Sequence, residues 1–288
     1  MTTMTLSGPL VSVEWLARHL YKDTLVIFDA SLALPGAPAI TTVVESIGNA
    51  LFFDINEVCD KSKALPHMMP SAEQFSKQVR RLGVSQNSTV VVYDDKGIYS
   101  SARVWWMFKA MGFEQVAVLD GGLPAWKKAG HSCHHEAVDK AVETGAVDFV
   151  ATSQEGYFCD VATTCAALSN PKVDVLDARG PGRFSGAEAD FRPGMRSGHM
   201  PGAISLHYAR LFETDGDNEG LLKSKDQLDQ LFDKLSPNNN AFIFSCGSGV
   251  TACILALAAT IAGIDELSVY DGSWSEWGKA IDLPVVSE

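Results

Sequence analysis

A cysteine at the end of an apolar run gives the densest chemical signal in this chain of 288 residues. Ala241-Phe242-Ile243-Phe244-Ser245 reads as a strand, and it runs directly into Cys246-Gly247-Ser248-Gly249-Val250-Thr251-Ala252 and an apolar helical stretch over 253–262. On a glycine-rich strand-to-helix turn the backbone N–H groups point inward at the positive end of a helix. Such donors favour a thiolate, or another anion held among them. Glycines at 247 and 249 let a ligand approach the backbone with no Cβ in the way. The plain alternative is an inert buried thiol, since cysteine is among the most buried residue types. Phosphate-ester chemistry on such a loop needs an arginine six positions after the cysteine to grip the dianion bidentately. Ala252 stands there, and Ser245 precedes the cysteine in place of histidine. What remains is sulfur transfer, in which a reachable thiolate accepts a sulfur atom and the same N–H groups hold the anionic persulfide.

The elements that must position this loop occur twice. Val26-Ile27-Phe28-Asp29-Ala30 has a partner in Val175-Leu176-Asp177-Ala178, and Ile47-Gly48-Asn49-Ala50 pairs with Met200-Pro201-Gly202-Ala203. Ser71 with Gln74 and Ser224 with Gln227 each open an apolar helical stripe, and both pairs are predicted capping boxes. Val90-Val91-Val92-Tyr93-Asp94 matches 241–246, and Asp120-Gly121-Gly122 matches Asp271-Gly272-Ser273, each followed by tryptophan. Matching anchors lie about 150 residues apart, which is a duplicated domain and not a solenoid. Short runs apolar on both faces (25–28, 90–93, 116–119; 173–176, 241–244, 267–270) alternate with helical patterns. That predicts an α/β fold of two tandem domains, each an open, mostly parallel sheet flanked by helices. The boundaries read as 1–130, a polar linker over 131–158, and 159–288. Ligands in such sheets sit beyond the carboxyl ends of the strands, so the residues after 90–93 and 241–244 are the places to look.

Cys246 through Ala252, together with Tyr270-Asp271-Gly272-Ser273-Trp274-Ser275-Glu276-Trp277, resembles the two-domain rhodanese superfamily, and within it the 3-mercaptopyruvate sulfurtransferases. The likeness extends over nearly the whole chain, through Phe52-Phe53-Asp54-Ile55, Arg103 to Met107, Gly182-Arg183-Phe184 and Gly198-His199-Met200-Pro201-Gly202. It implies that the second domain is catalytic and that the first is a non-catalytic copy, in keeping with Asp94 at the place of Cys246. An aspartate cannot carry a persulfide. Thiosulfate-preferring relatives resemble a cationic Cys-Arg-Lys-Gly-Val-Thr loop, which suits a compact dianion. The neutral loop here matches a singly charged organic donor. By resemblance Arg183 and Arg192 are the substrate-binding arginines, with Gly247, Gly249, Val250 and Thr251 lining the same site, while Arg179 and Arg196 are structural. Read without the resemblance, each arginine is a surface ion pair in a loop carrying Glu188 and Asp190.

The resemblance also implies a mechanism. The Cys246 thiolate attacks the donor sulfur, pyruvate leaves as its enolate, and Ser248 is linked to a histidine supplied by the first domain, matched by His67. Asn56 falls where relatives carry an acidic residue. It bears no charge to act on His67, so either Asp54, Glu57 or Asp60 takes that role or the relay is weaker. The expected activity moves sulfur from 3-mercaptopyruvate to cyanide, a small thiol or a thioredoxin-like protein, with no metal or organic cofactor. The alternatives are a thiosulfate:cyanide sulfurtransferase and a non-catalytic rhodanese-like binding or carrier module.

Composition bounds the rest. With 23 basic against 35 acidic side chains the net charge is −12, which argues against a nucleic-acid partner. No apolar run reaches the length of a membrane span, and the N-terminal residues lack the pattern of a secretory signal. Six sparse cysteines are then expected as reduced thiols in a cytoplasmic protein. His131, Cys133, His134 and His135 lack a second ligand pair and read as solvated linker, not a metal site. Trp105, Trp106, Met107 and Phe108 read as core, Cys253 as inert, and Cys59 as a secondary redox-sensitive thiol. The erosion of the usual His-Ile-Pro-Gly to Ser46-Ile47-Gly48-Asn49 predicts a less regular first domain.

Overall fold

The computed structural model describes residues 4–34, 36–38, 40, 45–134, 148–238 and 240–288. The chain divides into two compact units. Unit 1 holds Met1–Asp60, Met69–Gln154 and Asp215–Leu221, and unit 2 holds Lys61–Met68, Glu155–Thr214 and Leu222–Glu288.

Unit 1 runs β1 (Leu10–Val11), α1 (Val13–His19), β2 (Leu25–Asp29), β3 (Leu51–Phe52), α2 (Ala72–Arg81), β4 (Thr89–Tyr93), α3 (Ser101–Ala110), β5 (Val116–Leu119) and α4 (Gly122–Lys128). Its five strands lie in the order β1-β5-β4-β2-β3, and every neighbouring pair is parallel. Unit 2 runs β6 (Phe158–Cys159), α5 (Val161–Ala167), β7 (Val173–Asp177), α6 (Pro181–Ser185), β8 (Ile204–Ser205), a 3-10 turn at Tyr208–Leu211, α7 (Lys225–Leu235), β9 (Ala241–Ser245), α8 (Ala252–Ala262), β10 (Leu267–Tyr270) and α9 (Ser273–Trp277). Its order is β6-β10-β9-β7-β8, again parallel throughout. Adding five to each label of the first sheet gives the second, so the duplication read from the sequence is a duplication of topology.

The sequence explains these layers. β4 is buried at all five positions, as an apolar run in a sheet covered on both faces must be. α8, ACILALAATIA, is buried on nearly every side, which its uniformly apolar composition requires. α2 and α7 are amphipathic, and each opens with the capping box that Ser71/Gln74 and Ser224/Gln227 predict. Trp105, Trp106, Met107 and Phe108 are all core residues. No described helix is long and apolar enough to cross a membrane.

Two stretches behave otherwise than their local sequence suggests. At the eroded motif Ile47 is fully buried and its N–H donates to Tyr93 Oη at 3.1 Å, so this segment is anchored without the usual motif. Within 131–158, residues on both sides of 135–147 pack on unit 1. His131 stacks on Trp126 at 4.4 Å, Ser46 and His134 bridge, and Phe149 is buried against Phe75, Phe108 and Phe113. A lone phenylalanine in a polar stretch shows no periodicity, yet it is enough to tether the chain. His135 lies outside the described residues.

Register then places the chemistry. Asp29 pairs with Tyr93 and Asp177 with Ser245, so Asp94 and Cys246 stand at equivalent points just beyond the carboxyl edges of their sheets.

Candidate active site

The loop 246–251 in unit 2 is held from outside. Ser273 Oγ accepts the N–H of Cys246 at 3.2 Å and of Gly249 at 3.1 Å, and donates to the Tyr270 carbonyl at 2.8 Å. The Gly247 carbonyl accepts from Ser275 N–H at 2.9 Å, Ser275 Oγ at 2.7 Å and Arg192 Nη1 at 2.8 Å. In a planar trans peptide, a carbonyl turned outward turns the following N–H, that of Ser248, the opposite way. The amides of Ser248, Val250 and Thr251 donate to no protein acceptor among the described residues. Together with the N-terminus of the eleven-residue α8 they form a compact set of donors suited to an anion.

Unit 1 carries an internal control for that function. At the equivalent point the Asp94 carboxylate fills the turn itself. Its Oδ2 accepts from the N–H groups of Tyr99 at 2.7 Å, Ser100 at 3.0 Å and Ser101 at 2.9 Å, and from Ser101 Oγ at 2.7 Å. Its Oδ1 accepts from Lys96 N–H at 2.9 Å. The turn in unit 1 thus holds an oxyanion supplied by its own side chain, and the equivalent point of unit 2 carries a thiol.

Among the described residues only His67 and Ser273 are non-glycines with positive φ, at 61° and 47°. Both belong to this site, where such strain concentrates. His67 comes from the sequence of the first repeat but groups with unit 2, and its Nδ1 lies 3.1 Å from Ser248 Oγ. The pair expected from the sequence is brought together across 181 residues. At the position equivalent to Ser273, Gly122 is required, because a Cβ there would stand 2.3 Å from the Gly97 carbonyl oxygen. The second copy has room for a hydroxyl and uses it. Ser273→Ala strips the acceptor from two amides while keeping the strain. It is expected to cost about 1–3 kcal/mol, read as a lowered midpoint of unit 2 unfolding. Ser273→Gly should cost less, because it relieves the positive φ.

The arginines divide as expected in part. Arg179 is fully buried, paired with Asp177 at 2.6 Å, donating to the Gly198 carbonyl at 2.9 Å and lying 4.0 Å over the Trp274 ring. Arg196 Nη1 donates to the Leu283 carbonyl and Nη2 to the Trp277 carbonyl, tying down the C-terminal segment. Arg183, on α6, makes no hydrogen bond among the described residues and neighbours His207, whose ring burial and the Arg183 charge hold below the usual histidine range. Arg192 is committed: it grips Asp190 through Nε and Nη2, and Nη1 goes to Gly247 and Ser275. One N–H of Nη2 is left, 3.7 Å from where a Cβ on Gly247 would lie.

Cys246 corrects one expectation. The sequence suggests a reachable thiol, but the residue is 1% exposed. Gly247, Ser248 and Thr251 are the half-buried residues of its loop. Cys253 is buried and donates to the Gly249 carbonyl at 3.2 Å, so it braces the loop. In unit 1, Asn56 donates twice to Asp54 Oδ1, at 2.8 and 2.9 Å, and Cys59 Sγ donates to the Asn56 carbonyl. Sequence reading missed Ser273, Ser275 and the placement of Asp190. The Gly122/Ser273 difference between the repeats was the available signal for the first. No group of His, Cys, Asp and Glu able to hold a metal occurs among the described residues.

The rhodanese-like domain family matches residues 12–129 and 162–280. The thiosulfate/3-mercaptopyruvate sulfurtransferase 1, mitochondrial, of Arabidopsis thaliana is 37% identical over 99% of this chain and 80% of its own length. The 3-mercaptopyruvate sulfurtransferase of Homo sapiens is 36% identical over 100% of this chain and 98% of its own. The crystal structure of SseA, a 3-mercaptopyruvate sulfotransferase from Escherichia coli, superimposes with a TM-score of 0.81 at 34% identity, covering 94% of this chain and all of that one.

Proposed function

Since this chain belongs to the rhodanese-like domain family and is a sulfurtransferase, we propose that its donor is 3-mercaptopyruvate and that Cys246 carries the sulfur as a persulfide. The observation that carries this reading is the donor-lined turn, filled by a carboxylate at Asp94 and presenting a thiol at Cys246. Residues 159–288 are then the catalytic domain, and 1–130, joined through 131–158, the non-catalytic one.

The Cys246 thiolate attacks the donor sulfur. The new S–S bond forms as the C–S bond of mercaptopyruvate breaks, and the electron pair leaves on carbon as the enolate of pyruvate. The proton released as the persulfide ionises is the one the enolate carbon takes up, and the hydrogen-bonded Ser248–His67 pair is placed to move it. The persulfide anion takes the place that the carboxylate holds in unit 1, with the amides of Ser248, Val250 and Thr251 around it. A thiophile then removes the outer sulfur and restores the thiolate. Cyanide, a small thiol or a thioredoxin-like protein each has the chemistry for this. The cycle balances without a metal or organic cofactor. A reducing, cytoplasmic setting suits it, and none of the six cysteines is joined in a disulfide.

Arg183 holds the donor carboxylate, with the remaining N–H of Arg192 beside it. Arg183→Ala is expected to lower kcat/KM for mercaptopyruvate by roughly 10- to 150-fold, the worth of a charged hydrogen-bond pair, with thiosulfate turnover far less affected. An equal loss with both donors would favour the thiosulfate:cyanide reading instead. A Cys246 that forms no persulfide with either donor would leave a non-catalytic module.

A further inference from the structure

We propose that Asp190 sets the charge of the donor that the site accepts, an inference that rests on reading Cys246 as the sulfur carrier. The carboxylate is 3% exposed, beside an Arg192 side chain that is 21% exposed. Its Oδ1 accepts from Arg192 Nε at 2.8 Å and from the Arg192 backbone N–H at 3.0 Å, and its Oδ2 from Nη2 at 2.8 Å. Burial works to raise its pKa, but the hydrogen bonds and charge of Arg192, with the charge of Arg183, hold it below the usual carboxylate value. Asp190 is therefore ionised at neutral pH within the field of both arginines.

The consequence is electrostatic. Asp190 cancels one of the two guanidinium charges beside a loop, Gly247-Ser248-Gly249, that has none of its own. Removing one positive charge weakens the hold on thiosulfate, with two negative charges, more than the hold on a keto acid with one carboxylate. Asp190 also supplies from within the chain the planar carboxylate that Arg192 would otherwise take from a ligand. Arg192 is thus kept for orienting the Gly247 carbonyl, and the donor carboxylate is left to Arg183.

Asp190→Asn keeps the shape and one acceptor and removes the charge. The ratio of kcat/KM for thiosulfate to that for mercaptopyruvate should rise on the order of tenfold for one unit charge at this range. The change should lie mainly in KM and should shrink as salt is added. Asp190→Glu should restore the parental ratio. Calorimetry with the intact protein gives a readout independent of turnover: sulfate should gain on pyruvate in Asp190→Asn by a similar factor, and in the parent pyruvate should bind at least as tightly as sulfate. An unchanged donor ratio in a folded Asp190→Asn, a parallel loss with both donors, or tighter parental binding of sulfate each overturns the proposal. A parent protein that gains no sulfur from either donor, yet shows the expected anion preference, would instead count against Cys246 as carrier.

Discussion

Replacing Cys246 with serine is expected to reduce sulfur transfer from 3-mercaptopyruvate by at least about a thousandfold, with the fold intact. A hydroxyl occupies nearly the same volume as the thiol, and the backbone contacts of this residue, its N–H to Ser273 Oγ and its carbonyl from Trp274 N–H, are unaffected by the change. Unlike sulfur, the oxygen is a poor nucleophile toward a donor sulfur and forms no stable bond to a transferred sulfur. Loss should therefore be in kcat, with thermal unfolding within about a degree or two of the parent. Retained turnover in the serine variant would place the carrier elsewhere. The other thiols give it poor alternatives: Cys133, Cys159 and Cys165 are all pushed up by burial, and among these Cys159 is the most deeply placed.

The largest effect on stability is expected at Asp177. It and Arg179 are each 1% exposed, and three hydrogen bonds run from the guanidinium to the carboxylate. Asp177→Ala leaves a buried cation without its partner, a change that costs about 3–5 kcal/mol in such pairs. The damage should also reach the site, since Arg179 lies against Trp274, next to Ser273. The unfolding midpoint of unit 2 should fall by on the order of 10 °C. Asp177→Ala with Arg179→Met should recover part of that loss, because the double change removes both charges. A midpoint within about 2 °C of the parent in the single variant contradicts this account.

These two residues also show how much of the fold is written locally in the chain. Asp177 and Cys246 each end an apolar run, and the runs recur about 150 residues away at Asp29 and Asp94, so strand positions, duplication and parallel topology followed from local pattern. The capping boxes were equally local, and both formed. The candidate site was legible where it is one continuous segment, 246–251, and the family resemblance pointed to His67 and Arg192, which lie against Ser248 and Gly247. What pattern could not supply were contacts closed by the fold. Arg192 reaches the Gly247 carbonyl from 55 residues away, and nothing in its sequence neighbourhood shows that Asp190 would be buried with it and not left as a surface pair. The burial of Cys246, the hydroxyl of Ser273 inside the loop and the anchoring of Phe149 have the same origin. Each depends on packing between segments whose spacing in sequence carries no period.

The central claim is that a sulfur atom rests on one thiol. Intact-mass measurement of the parent protein after brief incubation with 3-mercaptopyruvate, without any acceptor, tests it most directly. A gain of the mass of one sulfur atom is expected, mapped by peptide analysis to Cys246, reversed by cyanide and absent from Cys246→Ser. A protein that turns over 3-mercaptopyruvate with no added mass, or that carries the sulfur on another residue, would contradict it.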